Sequence, residues 1–128
     1  EMGLERAVVV YGNGGLDEAS IQGPNHIRFL ENGNLSSRIL DPIEFGITPT
    51  PNDALKGGAL NVNIEILSSV LKGAGTNAQN NVVALNNALV LWVAGLEMNL
   101  QSGFTKSLEV LDSGEPWQVF QHLRTFLK

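Results

Sequence analysis

Apolar and polar positions alternate with three different rhythms along this chain of 128 residues. Near the start lies an unbroken apolar run, Ala7-Val8-Val9-Val10-Tyr11. Three consecutive β-branched residues favour a strand, because a pleated surface accommodates their stiff side chains. A run without polar alternation predicts a strand buried on both faces of a mostly parallel sheet. A period of two follows: in His26–Leu30, Ile27 and Phe29 share one face and Arg28 takes the other. Asn32-Gly33 comes next, and both residues accept the positive φ of a type I′ turn. With a return arm over Leu35–Leu40, this predicts a β-hairpin. Beyond Asn61 the spacing becomes helical. Val62, Ile66, Leu67, Val70 and Leu71 stripe a helix over Asn61–Leu71. A second helix over Ala78–Ala94 is apolar nearly all round in its second half, which predicts a central, mostly buried position. Asn99 caps a third over Leu100–Asp112, with Phe104, Leu108 and Leu111 inward. Pro116 starts a fourth over Trp117–Leu127, with Val119, Phe120, Leu123 and Leu127 on its apolar side.

The linking segments are punctuated by turn chemistry. Gly3–Arg6 leads into the first strand, and Ile21–Asn25 reads as a turn. Asp41–Gly46 reads as a loop or a single helical turn, and Ile47–Pro51 as extended chain. Asn52 is expected to cap a short helix, Asp53–Lys56, that stops at Gly57-Gly58. The fold class expected is therefore α/β, with helices flanking a mostly parallel sheet and one β-hairpin. A buried parallel strand needs neighbours on both sides, and few other strands are legible. Residues 1–128 are thus expected to be the C-terminal portion of a larger α/β domain, its other strands lying upstream of Glu1.

Composition narrows the function classes. Apolar residues make up 43% and charged residues 16%, a globular balance. The net charge of −5 and the lack of a basic cluster argue against a sequence-independent grip on nucleic acid. No cysteine is present, which excludes disulfides and thiolate metal sites and fits a reducing, cytoplasmic setting. The start of the chain is too polar for a signal peptide. The longest apolar stretch, Ala88–Ala94, falls far short of the roughly 20 residues that span a membrane.

The candidate chemistry follows the first strand. Gly12-Asn13-Gly14-Gly15 delivers two adjacent acids, Asp17 and Glu18. Open α/β sheets bind ligands beyond the carboxyl ends of their strands, so this pair is a candidate binding site. The competing reading is a solvated pair, or acids complementing a helix dipole in a first turn. Magnesium takes oxygen ligands and often uses one or two carboxylates plus substrate phosphates. The glycine loop reads more readily as a tight turn than as a phosphate cradle. It is not the dinucleotide fingerprint, because Asp17 occupies the place of the third glycine. Lys56-Gly57-Gly58 is read as a helix stop in preference to an anion site. His26 and His122 lack a serine or cysteine at a recognisable spacing and are not assigned to catalysis. Trp92 and Trp117 read as core. Asn86, on an apolar helix, is expected to hydrogen-bond across the core, since an unpaired buried amide is costly.

These residues also resemble a known family. Tyr11–Ser20 and the preceding valines are similar to the V-V-H-G-x-D-G-L-D-E-x-S signature of the anthranilate phosphoribosyltransferases. Tyr11 stands in place of the usual histidine and Gly14 in place of the usual aspartate. Leu55, Gly57, Gly58, Asn63, Ile66 and Leu67 match L-x-G-G-D-x-x-x-N-A-x-I-L, with Ala59 and Ile64 as departures. Leu85, Asn86, Ala88, Val93, Ala94 and Gly95 match V-x-L-N-A-A-x-x-L-x-V-A-G. A closing helix ends at Asp112-Ser113-Gly114 as in the family. The resemblance runs from Gly3 to Leu123.

It implies transfer of the 5-phosphoribosyl group from phosphoribosyl diphosphate (PRPP) to anthranilate, in tryptophan biosynthesis. Asp17 and Glu18 would hold Mg2+ beside the diphosphate. The family's glycine-rich diphosphate loop, its Lys-His-Gly-Asn segment and the arginine facing anthranilate lie upstream of the equivalent of this chain. The 128 residues alone are therefore expected to be inactive, and a homodimer is expected only of the complete protein. Two alternatives stay open. One is a relative of the same fold with another acceptor, such as a nucleoside phosphorylase. The other is a binding module that kept the fold without catalysis.

Overall fold

The computed structural model describes residues 3–127. Three strands, β1 (Arg6–Tyr11), β2 (Asn25–Glu31) and β3 (Asn34–Leu40), form one sheet in the order β1-β2-β3. Two short 3-10 turns follow at Pro42–Phe45 and Asn52–Leu55. Helices α1 (Leu60–Leu71), α2 (Asn77–Val93), α3 (Leu100–Ser113) and α4 (Glu115–Phe126) complete the chain. The α/β class, the hairpin and the four helices match the sequence reading, with helix bounds shifted by at most two residues.

The hairpin turns where expected. Asn32 at φ 49° and Gly33 at φ 79° carry the two positive angles that a two-residue connection needs. Asp41 accepts a hydrogen bond from the Ile43 N–H and caps the single turn that Pro42 opens.

The described sheet is antiparallel throughout. Val8 pairs with Phe29 and Val10 with Ile27, while Ile27 pairs in turn with Arg38. The strand expected to be buried on both faces is here an edge strand. Val8 and Val10 pack against the core, but Val9 is 67% and Tyr11 64% exposed on the outer face. An all-apolar run states that both faces avoid water; it does not state that the same 128 residues supply both covers.

The core lies between the inner face of the sheet and α2. Ile27 and Phe29 share one buried cluster with Ala84, Leu85, Ala88, Leu89 and Trp92 from α2 and with Phe104 and Leu111 from α3. Trp92 stands edge-on to Phe29 at 4.8 Å, and the Arg6 guanidinium lies 5.2 Å over its ring. Arg6 also donates to the Trp92 carbonyl at 3.0 Å and pairs with Glu31 at 2.9 Å, tying β1 and β2 to the end of α2. Helix α3 approaches α2 closely because Gly103 has no side chain: a Cβ there would lie 3.2 Å from the Ala88 Cα.

Three expectations are corrected. Helix α2 is not buried all round, since Val83 and Val90 face outward. The apolar side of α4 finds little cover among the described residues: no residue of α4 is buried, and Val119, Leu123 and Leu127 are exposed. Trp117 accordingly lies outside the core, stacked on Phe120 at 5.4 Å with the Lys72 ammonium 4.4 Å from its ring centre.

Candidate metal site at the end of the first strand

The chain leaves β1 through a turn closed on itself. The Gly12 N–H donates to the Leu16 carbonyl at 2.8 Å, and the Gly15 N–H to the Gly12 carbonyl at 3.0 Å. Gly14 and Gly15 sit at φ 86° and 82°, which side chains rarely adopt. Gly12 is required for another reason: a Cβ would collide with the Glu18 carbonyl oxygen. The Asn13 N–H donates to Asn25 Oδ1 at 3.0 Å. Since the N–H groups of Gly12, Asn13 and Gly15 are all spent inside the protein, the loop is a tight turn and not a phosphate cradle.

Asp17 and Glu18 emerge from this turn exposed, in a bend rather than a helix. The helix-dipole explanation for the two acids therefore does not apply. Asp17 and Glu18 both line a groove of about 630 Å³ between β1 and α2, together with Val8, Val10, Asn86 and Val90. Glu18 also borders a second groove of about 350 Å³, with Leu55, Gly57 and Asn63. There Asn63 Oδ1 accepts from the Gly58 N–H at 2.8 Å and Nδ2 donates to the Gly58 carbonyl at 3.1 Å. Gly57 is needed for that clamp, because a Cβ on it would strike Asn63 Oδ1. The 3-10 turn before it stops at Leu55, as the glycine pair suggested.

The donor set fits magnesium of the kind shared with a ligand. Two neighbouring carboxylates supply hard oxygen atoms, and an open groove leaves room for phosphate oxygens and water. No cluster of three or more His, Cys, Asp or Glu occurs among the described residues, so this chain offers no self-sufficient transition-metal cage. His26 lies exposed on β2 and His122 exposed on α4, far apart in the chain and outside both grooves.

What the sequence did not announce is the amide framework beneath the acids. Asn25 is fully buried. Its Oδ1 accepts from the N–H groups of Asn13 and Ser20, and its Nδ2 donates to the carbonyls of Ser20 and Leu40. Asn52, expected to cap a helix, instead accepts from the Ser20 hydroxyl at 2.6 Å and donates to the Asn13 carbonyl at 3.1 Å. Asn86 does bond across the core, and its partner is the residue after the acids. Oδ1 accepts from the Ala19 N–H at 2.8 Å, and Nδ2 donates to the Ala19 and Val82 carbonyls, each at 2.9 Å. The available signal was the gathering of amide and hydroxyl residues around a glycine loop, which turn propensity alone explains away.

Comparison with known proteins agrees with this architecture. The model of the family described as "Glycosyl transferase family, a/b domain" matches residues 1–116. An anthranilate phosphoribosyltransferase of Prochlorococcus marinus is 51% identical over 99% of this chain, which spans 37% of that relative. The crystal structure of an anthranilate phosphoribosyltransferase from Thermus thermophilus superposes with a TM-score of 0.85 at 34% identity, over 95% of this chain and 36% of that one. The Saccharomyces cerevisiae enzyme of the same name, in complex with PRPP and Mg, superposes with a TM-score of 0.77 at 25% identity, over 90% of this chain and 33% of that one. The chain thus spans little more than a third of the length of the relatives it matches.

Proposed function

Because the chain belongs to the glycosyl transferase family, a/b domain, we propose that it forms part of an anthranilate phosphoribosyltransferase acting in tryptophan biosynthesis. The observation that carries this reading is 51% identity to an enzyme of that name along 99% of the chain. Asp17 and Glu18 are the magnesium ligands, directly or through water, at the carboxyl end of β1. Bound there, the metal would neutralise charge gathering on the diphosphate leaving group. The chain's own part is positional. The glycine turn brings both acids to the groove, beside an apolar wall of Val8, Val10 and Val90.

Recognition of anthranilate and most contacts to PRPP come from residues outside this chain. The complete protein is a homodimer in the cytoplasm, a setting that a chain without cysteine suits. Assaying the complete protein with anthranilate, and with nucleosides plus phosphate, tests the acceptor. Phosphoribosyl anthranilate is the expected product; nucleoside cleavage without it refutes the reading.

The acids carry a separate test. Asp17→Asn with Glu18→Gln keeps shape and removes charge. Turnover should fall on the order of a hundredfold, with a raised magnesium requirement and an unchanged KM for anthranilate. Superimposed magnesium curves for parent and double variant would leave the acids as ordinary loop charges.

A further inference from the structure

The two acids sit between backbone anchors held by buried or half-buried amides of other elements. On the upstream side, Asn25 at the start of β2 holds the Asn13 N–H at 3.0 Å. On the downstream side, Asn86 from α2 binds both backbone groups of Ala19, the residue immediately after Glu18. Asn25 then binds both backbone groups of Ser20, at 2.8 and 2.9 Å. Both Nδ2 hydrogens and the Oδ1 of each amide are engaged. The partners are 67 residues apart for Asn86 and Ala19, so this is a tertiary contact and not local turn chemistry. Two amides gripping consecutive residues at N–H and carbonyl alike fix the orientation of the peptide planes that follow Glu18.

We propose that Asn86 and Asn25 are positioning residues that hold the Asp17-Glu18 segment in its metal-ready arrangement before any metal arrives. The inference rests on the magnesium reading of those acids. It assigns the downstream anchor at Ala19 to α2, because Asn86 lines the same groove as Asp17 and Glu18. Outer residues that orient metal ligands are commonly worth 10-fold to 100-fold in metal affinity.

The test uses the complete protein, with Mn2+ as a paramagnetic substitute for magnesium and PRPP present. Free Mn2+ is read by electron paramagnetic resonance. Four proteins are compared: the parent, Asn86→Leu, Asp17→Asn with Glu18→Gln, and Thr76→Ala. The last loosens the start of α2 without touching the loop. Asn86→Leu should weaken Mn2+ binding about tenfold, with the KM for anthranilate unmoved, while Thr76→Ala stays within about twofold of the parent. Parent-like binding by Asn86→Leu, or equal weakening by Thr76→Ala, overturns the inference. If the double variant also binds like the parent, the magnesium reading has failed as well; if it binds weakly, only the positioning role has. Hydrogen exchange of the unaltered protein gives a measurement that needs no variant. The Ala19 and Ser20 amides should already be protected in metal-free protein. Protection that appears only when Mg2+ is added would mean that the metal orders the loop, and would overturn the inference.

Discussion

At the scale of single residues, the site depends on an atom that is absent. Gly12 has no Cβ, and the Glu18 carbonyl occupies the space one would fill. Gly12→Ala must push the 17–18 segment away from β1. Folding should weaken by about 1–3 kcal/mol, the usual cost of overpacking, while turnover of the complete protein falls more steeply. Urea unfolding and steady-state rates on the same preparation check this. A rate loss no larger than the stability loss predicts would show that the segment tolerates displacement. The acids and the glycine turn were legible in sequence because both are contiguous. The amides were not. Asn25 reads as a turn residue and Asn52 as a helix cap, since both are common uses of asparagine. Only the fold shows Asn25 fully buried with four bonds and Asn52 reaching Asn13 and Ser20.

At the scale of elements, local chemistry closes the helix starts, at α2 through a signal the sequence reading passed over. Thr76 accepts from the Gln79 N–H at 3.2 Å, and Gln79 accepts in return from the Thr76 N–H at 2.9 Å, a complete capping box. Thr76→Ala should cost about 1 kcal/mol, read as a lowered urea midpoint with an unchanged slope; no shift would mean that packing alone holds the end of α2. Asn99 likewise caps α3 as its sequence position suggests, through the Ser102 N–H at 2.8 Å. Pattern failed where the cover of an apolar face was at issue. The stripe on α4 and the valines of β1 were correctly read as apolar, but periodicity carries no information about which partner shields them.

At the scale of the molecule, those uncovered faces add up. The accessible surface is 8320 Å² for 13.8 kDa, against about 6,600 Å² expected of a compact monomer of this mass. The excess of about 1,700 Å² is roughly twice the ~800 Å² that each partner contributes to a standard protein interface. It includes Val9, Tyr11, Leu35 and Ile39 on the outer sheet face and the unburied side of α4. Produced alone, the 128 residues should self-associate as concentration rises, with a weight-average mass in sedimentation above that of the monomer. A strictly monomeric, non-associating chain across the micromolar range would show that the exposed apolar faces are tolerated in water. The contact of Trp92 with Phe29 and Arg6 has an optical consequence. Its indole is 7% exposed and joins α2 to the sheet, whereas Trp117 lies on α4 beside Lys72. The chain's two tryptophans are thus fluorophores in different surroundings. The blue-edge emission belongs to Trp92 and dims or reddens when α2 parts from the sheet, and the red-edge emission belongs to Trp117 and follows whatever comes to rest on α4.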